Sequence, residues 1–90
     1  MAELTVTIRN KVGLHARPAA LFVQEANKFK SAITVGKGDG KEVNAKSILS
    51  ILGLGVDCGS VIRIRAEGED AENALQAFQA LVDRNFGEKE

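Results

Sequence analysis

Hydrophobic and polar residues alternate in two stretches of the chain. From Leu4 to Ile8 every second residue is apolar, and threonine occupies the positions in between. From Val61 to Glu67, isoleucine and alanine alternate with two arginines. A period of two is typical of a β-strand that has one buried and one solvated face. The sequence therefore predicts a strand in each stretch.

Two further strands are predicted in the middle of the chain. Ile33 and Val35 indicate a short strand, and residues 42–44 follow as a returning strand at the edge of the sheet. Asp39 and Gly40 lie between them, and an Asp-Gly pair favours the positive φ angles of a tight hairpin turn.

Two longer stretches have apolar residues at helical spacing. One helix opens near Pro18, and the other follows Asp70, which is predicted to be its N-cap. Such spacing places the apolar side chains on one face of a helix, where they form a stripe. The stripes consist of Ala19, Phe22, Val23, Ala26 and Phe29 in the first helix and of Ala71, Ala74, Leu75, Phe78, Leu81 and Val82 in the second.

A short third helix is predicted after Ser47, whose side chain is suited to an N-cap. Residues 48–54 are mostly apolar, but a helix of one or two turns cannot bury every side. We therefore expect Ile48, Leu49 and Leu52 to protrude as an apolar patch, of the kind that often marks a docking site for partner proteins. The alternative is that all the apolar residues of this segment belong to the core.

The resulting element order is β-α-β-β-α-β-α. Strands with one polar face and helices with one apolar stripe predict a two-layer α+β fold, in which helices cover one face of an antiparallel sheet. The other face, which carries Thr5, Thr7, Arg63 and Arg65, is expected to be solvated. No linker or repeat divides the sequence, so residues 1–90 are predicted to form a single open-faced sandwich domain.

Composition and charge exclude several classes of protein. Twelve basic and twelve acidic residues give a net charge of zero, which argues against nucleic-acid binding and against a polybasic membrane surface. An apolar fraction of 44% excludes a disordered chain. One cysteine and one histidine exclude a disulfide framework and leave too few ligands for a metal site. The sequence shows neither a membrane-spanning stretch nor a secretory signal, so we expect a cytoplasmic protein without membrane insertion.

The chemistry concentrates at the single histidine, within GLHARPAA at residues 13–20. Pro18 is tolerated in the first turn of a helix, which places His15 at the helix N-terminus. Backbone N–H groups at that end, here those of Ala16 and Arg17, lack helical acceptors and favour a bound anion. Together with the Arg17 guanidinium they match the oxygens of a phosphoryl group, so His15 is a candidate phosphoryl acceptor.

The same residues are compatible with less specific roles for His15. It could be a plain helix cap or a surface histidine, because isolated His-x-Arg pairs are common. Nucleophilic catalysis through a Ser-His or Cys-His pair is less favoured, since the spacing signals neither an orienting carboxylate nor an oxyanion hole. Because the position before proline disfavours helical backbone, the sequence defines the start of the helix only to within about two residues.

Two motifs together resemble the HPr family, the histidine phosphocarrier proteins of the bacterial phosphoenolpyruvate-dependent phosphotransferase system. They are GLHARPAA at residues 13–20 and VNAKSILSILGLG at residues 43–55, and the resemblance extends over essentially the whole chain. It implies strand order 1-4-2-3 with three helices on one face. It also implies that His15 accepts a phosphoryl group on Nδ1 from phosphorylated Enzyme I and passes it to the IIA domain of a sugar permease. Arg17 would neutralise the phosphoryl charge during this transfer.

The resemblance implies a carrier rather than an enzyme, with no cofactor, and we expect it to act as a monomer. The short helix would dock Enzyme I, IIA domains and an HPr kinase/phosphorylase through the apolar patch beside His15, with Lys46 and Arg17 as a charged rim. In many family members the serine that matches Ser47 is phosphorylated by this kinase, as a switch in carbon catabolite control. A dianion at a helix N-terminus is compatible with the fold.

The sequence also departs from the commonest family pattern. Val12 stands where many members have serine or asparagine, so a side-chain hydrogen bond from this position to the phosphohistidine is not expected. The segments NKVGLHARPA and NFGEKE also resemble NPr, a nitrogen-related paralogue. Two alternatives therefore stand beside the sugar carrier: an NPr-like regulatory phosphocarrier, and a binding regulator that acts through Ser47 and the short helix without transferring phosphate.

Overall fold

The computed structural model describes residues 2–38 and 40–87, which form a four-stranded sheet and three α-helices. The predicted β-α-β-β-α-β-α order is confirmed. Within these residues, no helix is both long enough and apolar enough to cross a membrane. In chain order the elements are β1 (Ala2–Thr7), α1 (Ala16–Asn27), β2 (Ala32–Lys37), β3 (Glu42–Asn44), α2 (Ile48–Gly53), β4 (Val61–Glu67) and α3 (Ala71–Asp83), followed by a 3-10 turn at Asn85–Gly87.

The sheet is antiparallel throughout, in the order β1-β4-β2-β3. Val6 lies opposite Ile62 in the β1–β4 pair, and Ile64 lies opposite Val35 in the β4–β2 pair. Because side chains alternate between the two faces along a strand, this register gathers the apolar residues on one face, and the helices cover it. The two-layer α+β fold and the strand order 1-4-2-3 are therefore confirmed.

The core lies between that face of the sheet and the apolar stripes of α1 and α3. Phe22 and Phe78 are fully buried there, with ring centroids 4.6 Å apart and ring planes tilted by 34°. Each fully buried phenylalanine stabilises the fold by roughly 1.5–3 kcal/mol. The other stripe residues are buried or packed against the core, as their spacing predicts.

The opposite face of the sheet carries an ion-pair network. Arg65 contacts Glu3 at 2.8 Å and Glu42 at 3.1 Å, and Arg63 contacts Glu42 at 3.4 Å. The two arginines that could suggest RNA binding therefore have acidic partners within the chain. Their positive charge is locally neutralised rather than presented as a basic surface.

The turn between β2 and β3 contains a left-handed residue at Gly38, whose φ is 57°. Arg63 supports this turn from the open face by donating hydrogen bonds to the carbonyl of Gly38 and, at 3.5 Å, to that of Gly40. The predicted contribution of Asp39 lies outside the described residues.

Asp70 occupies the N-cap position of α3 but does not cap the helix with its side chain. Its carboxylate instead accepts hydrogen bonds from the N–H groups of Lys30 and Ser31, at 2.9 and 3.0 Å, and from the Ser31 hydroxyl. The predicted N-cap position of Asp70 is therefore confirmed, while its carboxylate ties the loop after α1 to the start of α3. The Ser31 hydroxyl, followed by the Lys30 N–H, lowers the pKa of the Asp70 carboxyl because both donors favour its ionised form.

Asp70→Asn is expected to lower the free energy of unfolding at neutral pH, because an amide cannot carry the charge that these donors stabilise. A carboxyl with a lowered pKa in the folded state stabilises the fold above the ordinary aspartate range, near pH 4, and this contribution is lost as the pH falls through the lowered pKa. The difference in stability between Asp70→Asn and wild type should therefore shrink below about pH 4. Urea unfolding over this pH range measures it, with the exposed neighbour Glu69→Gln as control. A difference that is constant with pH would contradict a role for the charge.

Candidate functional site

His15 lies immediately before α1, at its N-cap position. Its backbone is extended, with φ −118° and ψ 157°, and its ring makes no capping hydrogen bond. The side chain is half-exposed, at 50%. The structure therefore confirms the predicted placement at a helix N-terminus and presents the imidazole to solvent, where a partner protein can reach it.

Two backbone donors stand free next to this ring. Within the residues that the structure describes, the N–H groups of Ala16 and Arg17 meet no hydrogen-bond acceptor, and Pro18 has no N–H to offer. Ala19 is the first residue of the helix whose N–H makes a backbone hydrogen bond, which it donates to the carbonyl of His15 at 3.4 Å. The two donors expected to bind an anion are thus unsatisfied by protein, which is the condition for an anion site at a helix start.

Ala16 has a positive φ of 42°, which is uncommon for a residue with a Cβ. Such a conformation costs of the order of 1–3 kcal/mol and persists only where the surroundings enforce it. The residue that follows His15 is therefore strained, and it carries one of the two free N–H groups. Arg17 comes next, exposed and without an ion pair among the described residues.

The loop before His15 is held against the segment that precedes β4. The Leu14 N–H donates to the Val56 carbonyl at 2.9 Å. Gly13 has a φ of +64°, and a Cβ at this position would lie 2.2 Å from the Val56 carbonyl oxygen and 2.6 Å from Asp57 Cα. Asn10, which is fully buried, closes the loop by donating from Nδ2 to the Gly13 carbonyl at 2.8 Å. Glycine is thus required at position 13 both for its backbone conformation and for this close approach.

The segment that contains Asp57, on the other side of this contact, is closed into a turn by its own hydrogen bonds. The Asp57 N–H donates to the Ser60 hydroxyl at 3.1 Å, and the Ser60 N–H returns a bond to the Asp57 carbonyl at 3.0 Å. The Gly59 N–H donates to the carbonyl of Ile8, and the Ile8 N–H donates to the Ser60 carbonyl at 2.8 Å. These bonds anchor the turn to the end of β1.

The two segments bring a carboxylate to the histidine. Asp57 Oδ1 lies 3.2 Å from His15 Nε2, although the two residues are 42 positions apart in the sequence. The spacing of the sequence signals no orienting carboxylate for His15, but the structure places one beside its ring. Asp57 lies in a loop without periodicity, so the pattern of the chain contains no signal that pairs it with His15.

Ser47 caps α2 as predicted. Its backbone is extended, and its hydroxyl oxygen accepts a hydrogen bond from the Ser50 N–H at 3.4 Å. Because the bond is long, its contribution should fall at the lower end of the roughly 0.5–2 kcal/mol found for N-caps. The side chain remains partly exposed, and a modifying enzyme could therefore approach it.

The predicted apolar patch of Ile48, Leu49 and Leu52 is exposed, so the alternative in which every apolar residue of the segment is core is wrong. Leu49 is 79% exposed, and the other two are each 39% exposed. Ile51 alone among the helix's apolar side chains is fully buried, and it attaches α2 to the core. Val12, in the loop before His15, is a further exposed apolar residue.

Lys46 has a different role from the one expected for a free rim charge. Its ammonium donates to the Phe29 carbonyl at 2.8 Å, just beyond the end of α1. Its carbonyl accepts a hydrogen bond from Asn27 at 3.4 Å, and its N–H donates to Asn44 at 2.9 Å. Lys46 therefore joins the end of α1 to the approach to α2, and its ammonium is hydrogen-bonded to an uncharged carbonyl within the chain.

The structure also locates the remaining potential metal ligands and the single thiol. Among residues 2–38 and 40–87, no group of three or more potential ligands is clustered as a metal ion requires. Cys58 is exposed and unpaired, and its thiol lies 3.5 Å from the Arg9 carbonyl. The groups suited to chemistry at this surface are the imidazole, the two free N–H groups and Arg17.

Comparisons with known proteins point to one family. Residues 2–84 match the family model described as the PTS HPr component phosphorylation site. The chain is 49% identical over 84 residues to the HPr-like protein Crh of Halalkalibacterium halodurans, covering 93% of this chain and 99% of that protein. It is 46% identical over 88 residues to the phosphocarrier protein HPr of Xylella fastidiosa, covering 98% of each. The crystal structure of an HPr dimer from Thermoanaerobacter tengcongensis is 56% identical, with a TM-score of 0.77, and covers 98% of this chain and 100% of that chain.

Gly13→Ala is expected to lower the free energy of unfolding by about 2 kcal/mol or more. The added Cβ is strained in the left-handed conformation of this residue, and it also clashes with the backbone of residues 56–57. The matched control is Gly53→Ala at the end of α2, where a Cβ meets nothing within 4 Å. That control should leave stability unchanged or raise it by up to about 1 kcal/mol. Urea denaturation of the two variants gives the comparison. Equal stability of Gly13→Ala and wild type would contradict the close approach of residues 13 and 56–57.

Proposed function

The chain belongs to the HPr family of phosphotransferase-system phosphocarriers, and on that premise we propose that His15 is the residue that carries the phosphoryl group. The observation that supports this most strongly is the exposed imidazole at the start of α1. Next to it lie two backbone N–H groups that have no hydrogen-bond acceptor among the described residues. Arg17, exposed and unpaired among the described residues, adds a positive charge at the same place.

The proposed cycle has two transfers. His15 Nδ1 accepts the phosphoryl group from phosphorylated Enzyme I and then gives it to the IIA domain of a sugar permease. Phosphoryl transfer depends mainly on in-line positioning and on stabilisation of the equatorial oxygens. The N–H groups of Ala16 and Arg17 and the Arg17 guanidinium are the donors suited to those oxygens. Because the chain carries the group from one protein to another, it acts as a carrier and needs neither a closed pocket nor a cofactor.

The apolar patch is the proposed docking surface for these partners. α2 packs against α1, so a protein seated on the patch is brought to the helix that begins beside His15. Exposed apolar clusters of this kind commonly mark interaction sites. Arg17 is the free charge at the rim, whereas Lys46 would have to release the Phe29 carbonyl to contribute its ammonium.

We further propose a cytoplasmic monomer. The free thiol of Cys58 fits a reducing compartment. A monomer leaves both His15 and the apolar patch accessible to successive partners. A dimer is reported for the similar Thermoanaerobacter HPr. Light scattering across a range of concentrations therefore tests whether this chain is a monomer.

Two alternatives differ from the sugar carrier in partners or in chemistry. An NPr-like carrier would use the same His15 chemistry in a nitrogen-related regulatory chain, and complementation of a sugar-uptake mutant separates it from the sugar carrier. A binding regulator would work through Ser47, the N-cap of α2, and through the apolar patch on that helix, and would not require His15. The exposed His15 and Arg17 favour a carrier over this regulator.

His15→Ala is expected to abolish labelling of the chain by phosphoenolpyruvate and Enzyme I, because the accepting nitrogen is removed. Wild type should acquire an acid-labile, base-stable phosphoramidate under the same conditions. Gln76→Ala, an exposed polar substitution on α3, serves as the control and should label normally. Labelling of His15→Ala at the wild-type level would show that another residue is the acceptor.

Ser47 is the proposed site of regulatory phosphorylation. Incubation with ATP and an HPr kinase/phosphorylase should add one acid-stable phosphate to wild type and none to Ser47→Ala, with Ser50→Ala as the matched control from the same helix turn. Ser47→Ala should also lower the free energy of unfolding by up to about 1 kcal/mol, through loss of the cap. Label at another residue, or none in wild type, would contradict the switch.

A further inference from the structure

The imidazole of His15 has one side-chain partner within residues 2–38 and 40–87, and that partner is a carboxylate. Asp57 Oδ1 lies 3.2 Å from Nε2. An ionised carboxylate accepts hydrogen bonds but has no proton to donate, so Nε2 must be the donor in this contact. The neutral ring is therefore held with its proton on Nε2, which leaves the lone pair on Nδ1.

The position of this carboxylate is determined by the backbone on both sides of the contact. The Leu14 N–H donates to the Val56 carbonyl at 2.9 Å, so the residue before His15 is bonded to the residue before Asp57. Asp57 itself is closed into a turn by reciprocal hydrogen bonds with Ser60, at 3.0 and 3.1 Å. Exposed ion pairs between long side chains are often too mobile to matter. Here two short side chains are brought together by main-chain contacts, which reduces the entropy cost of aligning them.

We propose that Asp57 is a positioning residue that holds the proton on His15 Nε2 through both phosphoryl transfers; this rests on the proposed function of His15. In the charging step, the Nδ1 lone pair forms the bond to phosphorus while the donor's bond to phosphorus breaks, and that electron pair stays with the donor. The Nε2 proton remains in place. The product ring is an imidazolium that bears the phosphoryl group on Nδ1 and faces the Asp57 carboxylate through Nε2–H.

The discharging step shows why this proton matters. The acceptor's nucleophile forms its bond to phosphorus, the Nδ1–P bond breaks, and its electron pair returns to Nδ1. With the proton held on Nε2, the ring leaves as neutral imidazole. Without that proton it would have to leave as an imidazolate anion, which is a much poorer leaving group. Asp57 thus lets the group move in and out without any proton transfer at the ring, in the way that a carboxylate orients a histidine in catalytic triads.

The arrangement also separates charges around the ring. The Asp57 carboxylate contacts Nε2, while the phosphoryl group is proposed to bind on Nδ1, where the N–H groups of Ala16 and Arg17 and the Arg17 guanidinium can receive it. The other titratable or charged side chains on the surrounding segments are Arg9 and Lys11 in the loop before His15, Cys58 next to Asp57, and Lys37. The Lys37 ammonium donates to the Gly55 carbonyl at 2.9 Å.

The test compares wild type with Asp57→Asn and Asp57→Glu. The Asp57 side chain is 74% exposed and its turn is closed by main-chain groups, so both variants should keep the fold, which a backbone NMR spectrum checks. In wild type, the ¹⁵N shifts of the neutral His15 ring should show Nε2 protonated and Nδ1 unprotonated. In Asp57→Asn the two shifts should move toward each other, because an amide can donate as well as accept. Asp57→Glu should recover the wild-type shifts at least in part.

The second measurement is the rate at which the phosphorylated chain discharges to a IIA domain, followed over a range of pH. Asp57→Asn should be slower by about tenfold or more, the lower end of what is lost when a partner that orients a functional histidine is removed. The difference in discharge rate between Asp57→Asn and wild type should grow with pH, because the variant has no carboxylate to hold the proton on Nε2. Asp57→Glu should recover rate and ¹⁵N shifts together, and Glu72→Gln on α3 is the control that should change neither.

The outcomes separate this proposal from the function on which it rests. If wild type is not labelled on His15, the proposed function fails, while the ¹⁵N shifts of the unphosphorylated chain still report whether Asp57 holds the proton. If His15 is labelled but Asp57→Asn has wild-type shifts and a wild-type discharge rate, the Asp57 proposal is overturned. The Asp57 proposal is also overturned if the ¹⁵N shifts and the discharge rate do not change together across wild type, Asp57→Asn and Asp57→Glu.

Discussion

The contact between the loop before α1 and the segment before β4 is the constraint on which the rest of the site depends. It consists of the Leu14–Val56 hydrogen bond and the missing Cβ of Gly13, which lets two backbones approach more closely than side chains allow. This contact places His15 against Asp57 and starts α1 at the surface. The sheet and the two buried phenylalanines provide the rigid body that holds both segments.

Several charged side chains outside the site are engaged within the chain. On the open face, Arg63 and Arg65 are matched by Glu3 and Glu42. Lys46 is bonded to the end of α1, and Asp70 is surrounded by donors. Among the described residues, the guanidinium of Arg17 and two backbone N–H groups stay unpaired beside His15. These donors offer a local site for an anion although the chain as a whole carries no net charge.

The parts of the molecule that follow from periodicity could be predicted from the sequence. Alternating residues located the strands, and helical spacing located the faces of α1 and α3, because burial of one face leaves a regular pattern. The exposed patch on α2 followed from the limited number of side chains that a two-turn helix can bury. The Asp57–His15 pair could not be found in this way, because it joins two loops 42 residues apart through main-chain hydrogen bonds that have no sequence period. Asp70 shows the same limit: its helix position was predictable, but its partners on another loop were not.

The short distance along the chain from α2 to Asp57 has a consequence for the design of variants. α2 ends at Gly53, and residues 54–56 alone separate it from the aspartate that contacts His15. A substitution that reshapes α2 to favour a different partner also changes the tether of this carboxylate. If α2 docks partners and Asp57 positions His15 as proposed, choice of partner and reactivity of the histidine are coupled, and an engineered change of specificity must be selected for both at once.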